Sequence, residues 1–219
     1  MKSDTIAAIA TALSDAGIGI IRISGPEAIA VANRVVVNKK KEHTLKNWQT
    51  HTIHYGFVEE NGTILDEVMV SVMKAPRSYT TEDTVEINCH GGVLLTKRVL
   101  EAVLHAGARM AEPGEFTKRA FLSGRIDLSE AEAVMDLIQA KNQFSMQASI
   151  KQLRGSVAEK VKSLRAALLY EIAFIESALD DPEHISTEGY SEKLGKITQE
   201  LLGCLLYTSP SPRDPKTSR

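Results

Sequence analysis

Two short apolar segments each carry one charged residue of a type that can bind a polar ligand. Arg22 lies among isoleucines in the segment Ile20–Ser24, and Glu86 lies between Val85 and Ile87. If both segments are β-strands, alternation places each charge on the face opposite its apolar neighbours. A guanidinium can bind an anion, and a carboxylate can accept two parallel N–H bonds, as an aminopyrimidine ring offers. The alternatives are a structural ion pair for Glu86 and an exposed strand edge for Arg22.

Three further stretches concentrate polar groups near these strands. Residues 75–83 supply an arginine, several hydroxyls and carboxylates, and residues 89–92 read Cys-His-Gly-Gly directly after the strand of Glu86. The glycines either permit close approach of the backbone to a ligand or make a tight turn into a helix. The charged stretch 112–128, which contains Arg125, joins two parts of different character. It can form a binding site at a junction or a hinge with local ion pairs.

Composition disfavours several classes of function. The 219 residues have a net charge of −2 and contain one Trp, five Tyr and five Phe, so neither a positive field nor a stacking platform for nucleic acid is expected. Two distant cysteines and unsuitably spaced histidines predict no metal site. Gly189–Lys196 has the wrong glycine spacing for a phosphate loop, and Ile197 stands where Ser or Thr would bind magnesium. We identify no catalytic residue, and without a long apolar run we expect a cytoplasmic protein without membrane contact.

The elements that must position these groups change in character near residue 115. Before it, alternating apolar patterns and an Asn-Gly turn predict a mixed α/β region. The predicted strands are residues 6–11, 19–24, 50–58, 63–73 and 84–88, and the predicted helices follow Pro26 and span 93–105.

After residue 115 the pattern is helical throughout. Ser129 and Glu132 predict a capping box. Apolar residues spaced three and four apart predict one nearly straight helix over Ile150–Leu179 that ends before Pro182, and a last helix spans Ser191–Leu202. We therefore expect an α+β protein with domains at 1–118 and 119–203. Residues 204–219 are rich in Pro and Ser, and we interpret them as a disordered tail that is not native to the gene.

Three long motifs resemble one known family. They are IGIIRISG (residues 18–25), APRSYTTEDTVEINCHGG (75–92) and EPGEFTKRAFLSGRIDLSEAEAVMDLI (112–138). In this order, and with the long helix that follows, they closely resemble the MnmE/TrmE family of tRNA uridine-modifying GTPases over residues 4–202. The resemblance implies an aminomethyltransferase-like domain at 1–118 that binds a one-carbon tetrahydrofolate, in the 5-formyl or methylene form, and makes a homodimer. It implies a partial helical domain at 119–203.

The resemblance also implies site residues and partners. Arg22, Glu86 and Arg125 would contact the folate, with Glu86 at the pterin edge and the arginines at its carbonyl or glutamate tail. The family works with the flavoprotein MnmG (GidA) to place a 5-carboxymethylaminomethyl-type group on the wobble uridine of tRNA under the control of GTP hydrolysis. GTP, Mg²⁺ and K⁺ are expected only at a G domain, which this sequence lacks after Leu202. We therefore expect this truncated chain neither to hydrolyse GTP by the family mechanism nor to complete the modification.

The sequence departs from the family pattern at a few positions. Thr81 replaces a usual glycine, residues 12–15 lack a Pro-Pro-Gly run, and Arg125 often corresponds to lysine. None of these changes removes a ligand group. Two alternatives remain open: a stand-alone folate-dependent one-carbon transferase, and a ligand-free dimerisation module.

Overall fold

The computed structural model describes residues 4–208 and, except at 156–158 and 204–208, their side chains. The chain divides between Ile126 and Asp127 into two compact units, which we name the sheet unit and the helical unit. A mixed sheet followed by helices confirms the predicted α+β class. The division falls later than residue 118, because ion pairs of Arg119 tie the intervening helix to the sheet unit.

One seven-stranded mixed sheet organises the sheet unit, with the strand order β3-β4-β5-β6-β2-β1-β7. The strands are β1 (Ile6–Ile9), β2 (Ile18–Ser24), β3 (Val36–Val37), β4 (Thr52–Glu60), β5 (Thr63–Met73), β6 (Thr84–His90) and β7 (Arg109–Met110). Neighbouring strands are antiparallel except β1 and β7, which are parallel. The five longer strands were predicted. The two-residue strands β3 and β7 were not, since two residues cannot display an alternating pattern.

The core of the sheet unit lies on one face of the sheet, under helices α1 (Ala28–Val35) and α2 (Val93–His105). Alternation sends Ile21 and Ile23 of β2 and Ile87 of β6 to this face, where each is fully buried. Each such side chain contributes about 1.5–3 kcal/mol of burial free energy. The opposite face, which we name the open face, carries the polar residues of the same strands. A third helix, α3 (Glu115–Leu122), completes the unit.

The described part of the helical unit contains four helices, and the longest of them is shorter than predicted. They are α4 (Leu128–Gln139), α5 (Gln143–Leu153), α6 (Ser156–Asp180) and α7 (Tyr190–Thr208). The prediction of one helix over Ile150–Leu179 is wrong, because the chain leaves helical geometry at Gly155, whose φ is +75°. A glycine adopts this left-handed conformation without steric cost and so ends α5. The three- and four-residue spacing of apolar residues continues across Gly155. The periodicity of the sequence therefore gave no indication of the break.

The ends of two helices also differ from prediction. The capping box at the start of α4 is formed by Asp127 and Glu130 rather than Ser129 and Glu132: the Asp127 side chain accepts from Glu130 N, and Glu130 accepts from Asp127 N. At the other end, α7 continues to Thr208, so residues 204–208 are helical rather than disordered. The remainder of the predicted tail, 209–219, lies outside the described residues.

The described part of the helical unit buries few apolar side chains. Among its described side chains, Ala133 and Ala178 are the only buried apolar ones. Apolar residues on α6 are exposed instead, and Leu179 is 75% exposed. Helices α6 and α7 are joined by a polar contact, in which Tyr190 Oη donates 2.8 Å to Glu171 Oε2. None of the helices within residues 4–208 has the length and apolar character needed to span a membrane.

Candidate functional site

Arg22 and Glu86 are direct cross-strand neighbours on the open face. The register of β2 and β6 sets them opposite each other, and Arg22 Nε donates a 2.8 Å hydrogen bond to Glu86 Oε1. On the next strand, Ser71 lies opposite Glu86. Both charged side chains remain partly exposed, at 31% and 22%. The structural ion pair left open by the sequence is therefore present, and the pair is also accessible to a ligand.

Two aromatic rings stand beside the Arg22 guanidinium. Its Cζ lies 5.8 Å from the ring centroid of Tyr79 and 5.6 Å from that of Phe116. Arg125 approaches the same tyrosine, with its Cζ 5.0 Å from the Tyr79 ring. Tyr79 Oη in turn lies 3.0 Å from Thr117 Oγ1 of α3. Tyr79 thus connects the Arg22–Glu86 pair to Arg125.

The loop that carries Tyr79 is anchored by buried polar contacts. Ser24 Oγ, at the end of β2, lies 2.6 Å from Thr80 Oγ1 and donates 2.9 Å to Glu82 Oε2. Ser24 and Thr80 are almost completely buried. Next to them, Thr81 has a φ of +63°. A β-branched residue at this position occupies a backbone region that disfavours it.

Helix α3 is held against the sheet by a cluster of two arginines and several carboxylates. Arg109 Nη2 donates 2.7 Å to Glu115 Oε1, and Arg119 Nη2 donates 3.0 Å to the same oxygen. Asp4 accepts from both arginines as well. The hydrogen bonds from Arg109 lower the pKa of Glu115 to about 2 and that of Asp4 to about 2, against the opposing effect of burial. This cluster fixes the helix that presents Phe116 and Thr117.

The glycine pair after β6 forms a tight turn. A Cβ built on Gly91 would lie 1.8 Å from the backbone oxygen of Ala16, so the two backbones are already in close contact there. Gly92 follows with a φ of +108° immediately before α2. Of the two alternatives considered from the sequence, the structure favours the turn over close approach to a ligand.

The three residues singled out from the sequence thus lie in one region of the sheet unit, with Arg22 bonded to Glu86 and Arg125 linked through Tyr79. Sequence reasoning missed Tyr79 and Phe116 as site residues, although each lies within a quoted motif and aromatic rings often accompany arginine.

Cys89 is buried beneath the open face, and burial raises the pKa of its thiol. Within residues 4–208, no group of three His, Cys, Asp or Glu side chains is arranged to hold a metal ion.

Comparison with known proteins places both units in one class. Residues 5–125 match the family model described as "GTP-binding protein TrmE N-terminus", and residues 128–208 match the "MnmE helical domain". The first match alone covers more than half of the chain, so the chain belongs to the MnmE/TrmE family. The order of the two matched regions agrees with the division of the structure at Ile126.

Individual relatives carry one shared description. Proteins named "tRNA modification GTPase MnmE" are 60% identical over 194 residues in Lachnoclostridium phytofermentans, 50% over 202 in Listeria welshimeri and 51% over 210 in Streptococcus thermophilus. The matches cover 89%, 92% and 94% of this chain but 42%, 44% and 45% of those relatives. The chain therefore spans less than half the length of the curated relatives it matches.

Proposed function

We propose that the sheet unit binds a one-carbon derivative of tetrahydrofolate, in the 5-formyl or methylene form, for a tRNA-modification enzyme of the MnmE/TrmE family. The observation that carries this proposal is that Arg22, which is bonded to Glu86, and Arg125 both lie beside the ring of Tyr79. When bound, such a ligand supplies an activated one-carbon unit. The residues of this chain bind and orient it.

The groups present fit a reduced pterin. Within residues 4–208, Glu86 Oε2 and the two terminal nitrogens of Arg22 have no protein hydrogen-bond partner. Glu86 can therefore accept N–H groups from an aminopyrimidine edge, and Arg22 can donate to its carbonyl. Tyr79 and Phe116 offer flat apolar surfaces beside these polar groups. Arg125, whose Cζ lies 5.0 Å from the Tyr79 ring, would bind the glutamate carboxylates.

Calorimetric titration of the 219-residue chain with 5-formyltetrahydrofolate tests this assignment. We expect saturable binding, weakened at least about tenfold by Glu86→Gln, since a neutral amide replaces the charged acceptor. The matched control is Glu101→Gln, which neutralises an exposed carboxylate on α2 and should leave binding unchanged. Absence of binding by the unmodified chain, or equal binding by the Glu86 variant, would refute the site.

The partner proposals rest on the open face and on the relatives. The open face exposes Ile18, Ile53 and Met69, and Ile53 is 63% exposed. Such a surface supports a homodimer through the sheet unit. Sedimentation equilibrium of Ile53→Asp tests it: we expect a shift toward monomer, and an unchanged dimer would exclude this face.

The remaining family functions are proposed on the basis of the relatives, of whose length this chain spans less than half. The relatives' name, "tRNA modification GTPase MnmE", supports a role in tRNA modification. The family resemblance seen in the sequence motifs adds the flavoprotein MnmG (GidA) and tRNA as the proposed partners. The sequence contains no GxxxxGK[ST] loop. We therefore assign GTP hydrolysis, with its Mg²⁺ and K⁺, to the part of the relatives that this chain does not span. A cytoplasmic location remains a prediction.

A further inference from the structure

A cleft of about 610 Å³ adjoins the candidate site and shares Tyr79 and Arg125 with it. Its other lining residues include Arg77 and His51, and none of the described lining residues carries a carboxylate. The cleft is therefore bordered by two permanent positive charges and an imidazole. This charge distribution differs from that of the chain as a whole, whose net charge is −2.

The acidic residues of the same loop are engaged elsewhere. Glu82 accepts from Ser24 Oγ and from Arg119 Nη1, on the side of α3. Asp83 Oδ1 accepts a 2.8 Å hydrogen bond from the backbone N–H of Ala75. Both carboxylates thus stabilise the loop rather than neutralise the arginines of the cleft.

The two arginines keep their donors available. Arg77 and Arg125 are both exposed, and neither forms an ion pair with a carboxylate of residues 4–208. The hydroxyls of Ser78 and Ser123 donate to backbone carbonyl oxygens, at 2.6 and 3.0 Å, and so shape the cleft without offering their protons to a ligand. A guanidinium binds a carboxylate through two parallel N–H bonds, so the cleft can hold at least two carboxylates.

We propose that this cleft is a subsite for an oligoglutamate tail, so that the site discriminates ligands by the number of their γ-linked glutamates. The inference rests on the proposed function, because a pterin at Arg22 and Glu86 would direct its glutamate end past Tyr79 toward Arg125. Arg77 then binds carboxylates beyond the first glutamate. A nucleic-acid backbone is a weaker candidate, since such binding draws on many more cationic contacts than this cleft offers.

The test compares 5-formyltetrahydrofolate carrying one glutamate with the same compound carrying five, titrated into the 219-residue chain at constant ionic strength. We expect the pentaglutamate to bind about fivefold more tightly, as partly screened charge pairs allow. Arg77→Gln should abolish this difference, and Arg77→Lys should retain part of it, because charge persists while the planar fork is lost. Lys46→Gln removes an exposed cation elsewhere in the sheet unit and should retain the full difference.

The outcomes separate this inference from the proposed function. Equal affinities for the two ligands, or a difference that survives Arg77→Gln, would overturn the tail subsite and leave the pterin site standing. Failure of both ligands to bind would overturn the proposed function and the subsite together. If the two folates bind equally while a short single-stranded RNA binds the chain with an affinity that Arg77→Gln lowers, the cleft binds phosphates and the oligoglutamate assignment is wrong.

Discussion

The Nε of Arg22 donates to Oε1 of Glu86 over 2.8 Å, across the antiparallel pair β2 and β6. The two residues are 64 positions apart in the chain, and both lie on the face of the sheet opposite the apolar core. One contact therefore serves two purposes. In the protein without ligand, each charged group has the other as its partner. The same contact holds the two groups side by side at a partly exposed position that a ligand can reach.

A double-mutant cycle of Arg22→Gln and Glu86→Gln measures the structural part of this contact. Because both side chains are partly exposed, we expect a coupling free energy of about 0.5–1 kcal/mol in urea unfolding. The same cycle on Arg98 and Glu101, which are more exposed, serves as the comparison and should give a smaller coupling. A coupling near zero at the strand pair would mean that the contact positions the charges without stabilising the fold.

Substitution of Thr81 by glycine should stabilise the sheet unit. Thr81 has a φ of +63°, where a β-branched residue is strained and glycine is not. The greater entropy of glycine in the unfolded chain offsets part of the gain, which leaves about 0.5 kcal/mol in the free energy of unfolding. Thr63→Gly, at an exposed position of β5, should have the opposite sign. Destabilisation by Thr81→Gly would show that its hydroxyl contact to Thr80 O outweighs the strain.

The turn after β6 should not tolerate a side chain. Gly91→Ala places a Cβ 1.8 Å from the Ala16 oxygen, so the backbone must move. We expect a loss of about 2 kcal/mol or more in chemical denaturation. Gly17→Ala is the matched control, because nothing lies within 4 Å of its Cβ position. Equal stability of the two variants would contradict the close backbone contact.

Acid should weaken the contact between α3 and the sheet. The pKa of Glu115 is lowered from 4.5 to about 2, chiefly by the hydrogen bond from Arg109. A lowered pKa means that the stabilisation is complete above pH 4.5 and is lost as the pH falls toward 2. Glu115→Gln should therefore flatten the dependence of unfolding free energy on pH in this window. An unchanged slope in this variant would show that other carboxylates dominate.

Hydrogen exchange should be slower in the sheet unit than in the helical unit. Strands β5 and β6 lie in a core of fully buried valines and isoleucines, whereas the exposed apolar side chains of α6 leave it with little buried surface. Local opening costs less where few apolar contacts are lost. We expect the amides of α6 to exchange at least about tenfold faster than those of β6. Equal protection of the two elements would contradict this view of the helical unit.

Much of the fold was readable in the sequence because its signals are local. Strand-like apolar segments predicted β2, β5 and β6. Alternation placed Arg22 and Glu86 on polar faces, since side chains along a strand alternate whatever it pairs with. The helix α2 was bounded correctly by Gly92 and Gly107 for similar reasons. The long motifs identified the family, and the comparisons confirmed it.

Tertiary structure alone decided which of these residues meet. Arg22 lies opposite Glu86 because of the strand order and the register of β2 and β6. Nothing in the sequence of either strand indicates that it pairs with the other. Tyr79 contacts Arg125 because its loop is held in place by the hydrogen bond between Ser24 and Glu82. The spacing of these residues in the sequence does not predict either contact. The break at Gly155 was not predicted because the spacing of apolar residues continues across it. Only the backbone conformation of Gly155 shows that the helix ends there. The sequence by itself therefore determines the local secondary structure and the chemical groups, whereas only the folded chain determines which distant residues come into contact.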